Sequence, residues 1–279
     1  MTQRNTQLPA VTRPESLAGL LSRWHRGPAH PFKLRLIRLV ERLLGPGRLV
    51  VQTTSGFRLS VDHADLIQRT VLHTGCWEAE ETEFFNRELR LEDVLYDIGS
   101  NVGYFTCLAL ARGVRHVVAF DPDPLNFEVM RLNLRLNAFD QGRWTLINEG
   151  VGARTEMAKF HRAHVANTGV SGFGRSTAVE TFSVPLRSID DFLVAELAPV
   201  PTVLKIDVEG WEQYVFEGAT TLLTSAPPRL ILFEAACDSA GRMTNAPLRQ
   251  QLTTAGYEIS RLKQAPPEDP TDNYVARKC

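Results

Sequence analysis

The sequence predicts an α/β fold built on a doubly wound, mostly parallel sheet. Three observations predict it. Short apolar runs recur at 94–97, 116–120, 144–148, 202–206 and 229–234, with helical patterns between most of them. That alternation marks parallel strands covered on both faces. The first run ends in an acid, Asp97, followed by a turn between Gly99 and Gly103 and then an apolar helical pattern. The second run ends in another acid, Asp121. Acids and glycines at the carboxyl ends of neighbouring strands are where such sheets hold nucleoside-bearing ligands.

Taken in order, residues 1–16 read as irregular, and Leu17 to Trp24 as a short helix. Pro31 then precedes FKLRLIRLVERLL, which stops at Gly45-Pro46-Gly47. Proline at the start and glycine past the end fit a capped helix. Its basic amphipathic pattern is better explained by packing on the domain or on a sister subunit than by a lipid surface. LVVQT at 49–53 and FRLSV at 57–61 flank Thr54-Ser55-Gly56 as a small hairpin. Helical segments are expected from Asp65 to Thr70 and from Glu78 to Glu88. Beyond the third core strand, Gly152 to Ser183 loses any apolar period and reads as an extended hairpin or a mobile loop. Residues 184–186 resume an extended pattern, a helix is expected at 190–197, and strands at 257–260 and 273–276 close the chain. Residues 1–90 thus form an N-terminal helical segment, hairpin and cover. Residues 91–279 form the ligand-binding domain, with 152–183 as a substrate-side excursion.

Composition narrows the class. The 279 residues are 43% hydrophobic and 23% charged, as in a soluble globular protein, and no stretch suits a membrane span. Net charge is −1, which gives no reason to expect nucleic acid. Cationic side chains concentrate in residues 1–48, where nine Arg or Lys face only Glu15 and Glu41. Cys76, Cys107, Cys237 and Cys279 form no CxxC pair or zinc spacing. Unpaired thiols and a polar N-terminus point to a reducing, cytoplasmic location.

The first turn carries the first chemical signal. Gly99 permits a tight turn and close backbone approach, and the amides after it can hold an anionic group. Asp97 would suit a ligand ammonium and would repel a pyrophosphate. Position 101 is Asn where a dinucleotide fingerprint needs glycine. Both points disfavour NAD and FAD and favour a zwitterionic end, as in S-adenosylmethionine. Asp121, 24 residues after Asp97, can accept both ribose hydroxyls, although a turn or helix cap before Pro122 and Pro124 would also use it. Phe120 and Pro122 could flank an adenine.

The second signal is VLKIDVEGWEQYVFEGA at 203–219. Lys205, Asp207 and Glu209 crowd one strand end, where ionisable groups are costly unless paired or functional. Lys205 and Asp207 share a side of the strand, so Lys205 could serve only to neutralise the acid. Asp207 or Glu209 could remove or orient a proton, and Glu234 at the end of LILFEAA reaches the same edge. His161 and His164 are alternative bases. Asp207, Glu209 and Glu234 could also offer oxygen ligands to Mg²⁺, without a decisive ligand spacing. No G-x-S-x-G elbow occurs.

From about Leu49 onward the chain resembles the FkbM-type S-adenosylmethionine-dependent methyltransferases. The resemblance rests on HTGCWEAEE at 73–81, VLYDIGSNVGYFT at 94–106, VVAFDPDPLNFEVMRLNLRLN at 117–137, NEGVGA at 148–153 and VLKIDVEGWEQYVFEGA. It implies a class I methyltransferase (Rossmann-like) fold, with a seven-stranded sheet whose last strand is antiparallel. It implies S-adenosyl-L-methionine as cofactor and a small-molecule acceptor; Mg²⁺ stays an alternative that the residues do not favour. Asp97, Gly99, Ser100, Asn101, Gly103 and Phe105 would form the methionine end of the site. Asp121 and Pro122 would meet the ribose and its base. Asn148 and Glu149 would lie at the adenine edge or reacting centre, and Glu78 would close over the cofactor, with His73 and Trp77 as lid or packing. Lys205, Asp207, Glu209 and Glu234 would form the catalytic edge. The expected reaction is O-methylation of a hydroxyl on a small natural-product or sugar-containing acceptor. The alternatives are N-methylation of a small amine and a non-catalytic cofactor-binding partner protein. Residues 1–48 match no family segment and could supply a homodimer contact.

Overall fold

The computed structural model describes residues 47–163, 171–173, 179–195, 198–263 and 270–279. The two helices expected before residue 47, His164, and the proposed dimer contact of the N-terminal region lie outside the described residues.

Strands β1 (Arg48–Gln52) and β2 (Arg58–Asp62) form the expected antiparallel hairpin, displaced by one residue on each side of its turn. Helix α1 (Leu66–Thr74) begins at Asp65, whose side chain accepts from the Gln68 amide, and stops at Gly75 in the left-handed conformation. Helix α2 (Ala79–Glu88) begins after Glu78, which is itself left-handed at φ 41°.

The α/β core then alternates as the apolar runs require: β3 (Val94–Ile98), α3 (Tyr104–Arg112), β4 (His116–Phe120), α4 (Pro124–Leu136) and β5 (Trp144–Ile147). Asp123 caps α4 through the Leu125 amide, with Pro124 in the first turn. After an excursion come α5 (Ile189–Val194), β10 (Val203–Ile206), α6 (Glu212–Glu217), α7 (Thr220–Ser225), β11 (Leu230–Ala236), α8 (Ala246–Thr254), β12 (Tyr257–Arg261) and β13 (Thr271–Lys278). Ser188 caps α5 one residue earlier than expected, and the helix ends at Val194.

Seven strands form one sheet in the order β12-β13-β11-β10-β3-β4-β5. β11, β10, β3, β4 and β5 run parallel, and β13 runs antiparallel to both β11 and β12. This is the doubly wound, seven-stranded sheet with an antiparallel last strand that the family resemblance implies. Alternation along the strands fills two layers. Leu95 joins a cluster with Val51, Leu59, Leu72, Phe85, Phe105 and Leu108 on one side. Tyr96 and Ile98 join Phe120, Phe192, Phe216 and Phe233 on the other.

The described residues of the excursion build strands, in line with the extended hairpin, one of the two readings of its sequence. β6 (Gly150–Val151), β7 (Glu156–Arg162), β8 (Gly172–Phe173) and β9 (Glu180–Arg187) form a second sheet in the order β6-β9-β7-β8. Its register sets Phe160 opposite both Phe182 and Phe173. Cross-strand aromatic pairing therefore supplies the order that the missing apolar period did not announce.

Candidate active site

The chain winds from β3 outward to β5, then returns to place β10 on the other side of β3. A crevice opens at the carboxyl ends of strands where the order reverses in this way. Here it is lined by the β3–α3 turn, the end of β4, the segment after β5, the end of β10, the start of α2 and the aromatic face of the excursion.

The glycine turn is shaped by its neighbour. Gly99 has φ 80°, and a Cβ there would fall 1.8 Å from the backbone carbonyl oxygen of Asp207. Only glycine lets β3 and β10 approach so closely. The Gly99 and Ser100 amides both donate to the Phe120 carbonyl, 3.0 Å each, which ties the turn to β4. Asn101 follows at φ 50°, and its buried Oδ1 has no partner. Asn101, Glu78 and Glu209 are three of the four described non-glycine residues with positive φ, and all three line the crevice. Backbone strain therefore gathers at this site.

Asp121 is buried beneath the turn. Its Oδ2 accepts from the Asn101 amide at 2.8 Å and its Oδ1 from the Asp123 amide at 2.9 Å. Burial, and after it the charge of Asp123, push its pKa well above the ordinary carboxylate range. A cationic ligand or a pair of hydroxyl donors would restore its charge.

At the end of β10, Lys205 donates to Asp207 Oδ2 at 2.9 Å and stands 4.8 Å above the Phe105 ring. The parallel register sets Lys205 beside Asp97 on β3. Burial works against the lysine's charge, but Asp207, Asp97 and Glu78 together raise its pKa above the ordinary value. The Asp207 side chain stays 32% exposed, while that of Lys205 is only 5% exposed. A buried cation thus holds a carboxylate at the open end of the strand. Burial and then repulsion by Asp207 push Glu78 up to about 8, against the pull of Lys205. Behind this group, Glu212 Oε1 accepts from the Val208 and Gly210 amides at 3.1 Å each, holding the turn that presents Glu209. Glu234 accepts from Thr271 at 2.7 Å.

Of the residues singled out by sequence, Glu78, Gly99, Ser100, Asn101, Phe105, Asp121, Pro122, Glu149, Lys205, Asp207, Glu209 and Glu234 line the crevice. Three do not. Asp97 is fully buried behind the lining; its Oδ2 accepts from Thr106 at 2.6 Å, and its Oδ1 has no hydrogen-bond partner. Gly103 gives room for Met130, whose Cγ would lie 2.7 Å from a Cβ. Asn148 donates to the Asp121 carbonyl at 2.8 Å, so it supports the ribose-side segment from outside. Glu149 lines the wall but is held by Arg187 at 2.6 and 2.9 Å. His161 pairs with Thr181 at 3.0 Å and is not in the lining, because its neighbour Phe160 takes the inward side of the strand. Trp77 lines the crevice and His73 does not. Among the described residues, no three His, Cys, Asp or Glu side chains assemble as a metal-binding group.

Ile67, Tyr104, Asn126, Phe160 and Phe173 line the crevice without having been singled out. The alternation of Phe160 and Phe182 with polar neighbours is the one signal that could have indicated an aromatic wall. Asn126 and Ile67 carry no local signal.

The crevice fits S-adenosylmethionine on its own chemistry. A backbone cradle closed to any Cβ, an unsatisfied Asn101 amide oxygen, and buried acids spaced between the ends of β4 and β10 suit a ligand carrying amine, sulfonium and diol. A family model described as Methyltransferase FkbM domain matches residues 97–259. The hexuronic acid methyltransferase AglP of Haloferax volcanii is 29% identical over 140 residues, which cover 50% of this chain and 54% of AglP. The match thus spans about half the length of that curated relative. The crystal structure of methyltransferase FkbM from Methylobacillus flagellatus KT is 20% identical, with a TM-score of 0.48, covering 68% of this chain and 45% of that one. That of M. jannaschii TYW2 in complex with AdoMet is 15% identical, with a TM-score of 0.44, covering 83% and 87%. No described helix is long and apolar enough to cross a membrane.

Proposed function

The chain belongs to the FkbM methyltransferase family, and we propose that it methylates a hydroxyl on a small natural-product or sugar-containing acceptor, with S-adenosylmethionine as donor. Bound in the crevice, S-adenosylmethionine supplies an electrophilic methyl group on a sulfonium. Asp121 would accept from the ribose hydroxyls, Asn101 Oδ1 would take a donor at the turn, and Pro122 would flank the base. Asp207 and Glu234 give the crevice an acidic lining that a sulfonium favours.

The observation that carries the reading is Asp207, a half-exposed carboxylate fixed at the end of β10 by the buried Lys205. Lys205 sets its position, so it can orient an acceptor hydroxyl and take its proton. Orientation of this kind can supply several kcal/mol of a barrier, roughly 7–11 at best. The acid-rich lining, with Lys205 as the only Lys or Arg among the described lining residues, favours an acceptor that is uncharged where it reacts. A sugar acceptor draws support from AglP, which is a hexuronic acid methyltransferase.

The test is release of S-adenosylhomocysteine by the purified protein against a panel of neutral and acidic glycosides. Asp207→Asn is expected to abolish turnover while leaving the binding of S-adenosylhomocysteine, which has no sulfonium, intact. Unchanged turnover with unchanged binding would reject Asp207 as the base. A second reading, methylation of an amine, has one observation in its favour: the same acids would hold an ammonium before it loses its proton. Turnover on small amines but not on hydroxyl acceptors would select it.

A further inference from the structure

The β7–β9 hairpin is latched to the segment that bears Asp121, and we propose that Arg162 is a positioning residue for the cofactor's ribose. Its guanidinium fixes Asp123, and Asp123 in turn fixes the Asp121 carboxylate.

The contacts form one chain of bonds. Arg162 Nε and Nη2 donate to Asp123 Oδ2 and Oδ1, both at 2.6 Å, in a two-point fork. Asp123 Oδ1 caps α4 through the Leu125 amide at 2.8 Å. The Asp123 amide donates to Asp121 Oδ1, whose partner oxygen holds the Asn101 amide. The Asp123 side chain is only 2% exposed and that of Arg162 14%, so this pair is shielded from solvent. Arg162 is itself aimed by its strand. It pairs in register with Glu180, which it also contacts, and its guanidinium lies 4.7 Å above the Phe182 ring.

The same strand carries the wall of the site. Phe160, two residues before Arg162, falls on the same side of β7 and lines the crevice with Phe173. One face of the hairpin therefore delivers both the aromatic wall and the latch. Two buried acids stand two residues apart at 121 and 123, and the charge of Asp123 disfavours that of Asp121. Arg162 neutralises the outer one, which leaves the inner one to be ionised by a ligand. A fork, rather than a point charge, is required to hold both oxygens of Asp123 in place.

This inference rests on the reading of Asp121 as the ribose acid. The experiment measures S-adenosylhomocysteine binding by calorimetry, together with thermal unfolding of the ligand-free protein, for Asp121→Ala, Arg162→Met, Arg162→Lys, Asp123→Asn and the double variant Arg162→Met/Asp123→Asn. Arg162→Met is expected to weaken binding about tenfold, the scale of one lost charge-assisted contact. Arg162→Lys should recover only part of that. The double variant should bind more tightly than Arg162→Met alone, because no unpaired acid is left beside Asp121. In turnover, KM for the donor should rise while kcat at saturation stays within about twofold, the signature of lost ground-state binding. Equal affinity for wild type, Arg162→Met and Arg162→Lys, with only the melting temperature lowered, would overturn the proposal and leave a structural latch. If Arg162→Met does not fold, the comparison of Arg162→Lys with Asp123→Asn decides in the same way. If Asp121→Ala itself binds normally, the ribose reading fails first.

Discussion

Replacing Gly99 with alanine separates two demands that the site makes on one residue. At φ 80° an alanine pays the left-handed penalty, about 1–2 kcal/mol. Its Cβ would also lie 1.8 Å from the Asp207 carbonyl oxygen, which is main chain and has no rotamer to escape into. Relief requires the turn and the end of β10 to separate by more than roughly 1 Å, and overpacking of that kind adds about 1–3 kcal/mol. The expected loss is therefore roughly 2–5 kcal/mol in denaturant unfolding. Gly210 is the control. Its φ is 91°, and a Cβ there meets nothing within 4 Å, so Gly210→Ala should cost only the conformational part. The functional effect should be larger still for Gly99→Ala, since displacing the turn moves Asp207 and Asn101 together. A misplacement near 1 Å can cost about 100-fold in turnover. Denaturant unfolding, S-adenosylhomocysteine calorimetry and turnover on the two variants give the comparison. Equal stability losses, or unchanged turnover in Gly99→Ala, would refute the close approach of β3 and β10 as the reason for this glycine.

Lys205→Met leaves Asp97 and Asp207 without their buried cation, and unfolding should show a loss of about 3–5 kcal/mol at pH 7. Part of it should return as pH falls, because burial raises the Asp97 pKa and its protonation removes an unpaired buried charge; a loss that does not vary with pH would contradict the electrostatic account. Glu78→Gly should relieve the left-handed strain at φ 41° and raise stability by about 1 kcal/mol while weakening S-adenosylhomocysteine binding; unchanged affinity would remove Glu78 from the site. Burial pushes Glu212 up to about 7, against the hydrogen bonds that it accepts from the backbone. Its folded-state value lies above the unfolded one near 4.5, so its proton-linked stability is complete below that pH and is lost as pH rises through 7. Unfolding free energy measured from pH 5 to 8 should therefore decline, and Glu212→Gln should flatten the decline. A parallel decline in the variant would assign the effect to other groups.

The sheet was legible from the chain because its parallel strands are buried on both faces and read as continuous apolar runs. The cofactor turn was legible because Gly99, Asn101 and Asp121 lie at strand ends, where local conformation and chemistry coincide. Asp97 shows the limit. Its type and spacing matched a ligand-facing acid, yet the period of the strand turns it beneath the β3–α3 turn, beside Lys205. Asn148 and Gly103 meet Asp121 and Met130, partners from other parts of the chain that their own segments do not announce. The excursion carried no apolar period because its order comes from Phe160, Phe173 and Phe182 meeting across strands. Arg162 could not have been chosen from the sequence. It lies 39 residues from Asp123, and only the return of the β7–β9 hairpin over the end of β4 joins them. Sequence by itself determined the parallel sheet and the family, because each depends on patterns of neighbours within a few residues. The tertiary structure decided which acids face the crevice, which are neutralised and which wall encloses it, because burial and charge pairing are set by residues distant in the chain.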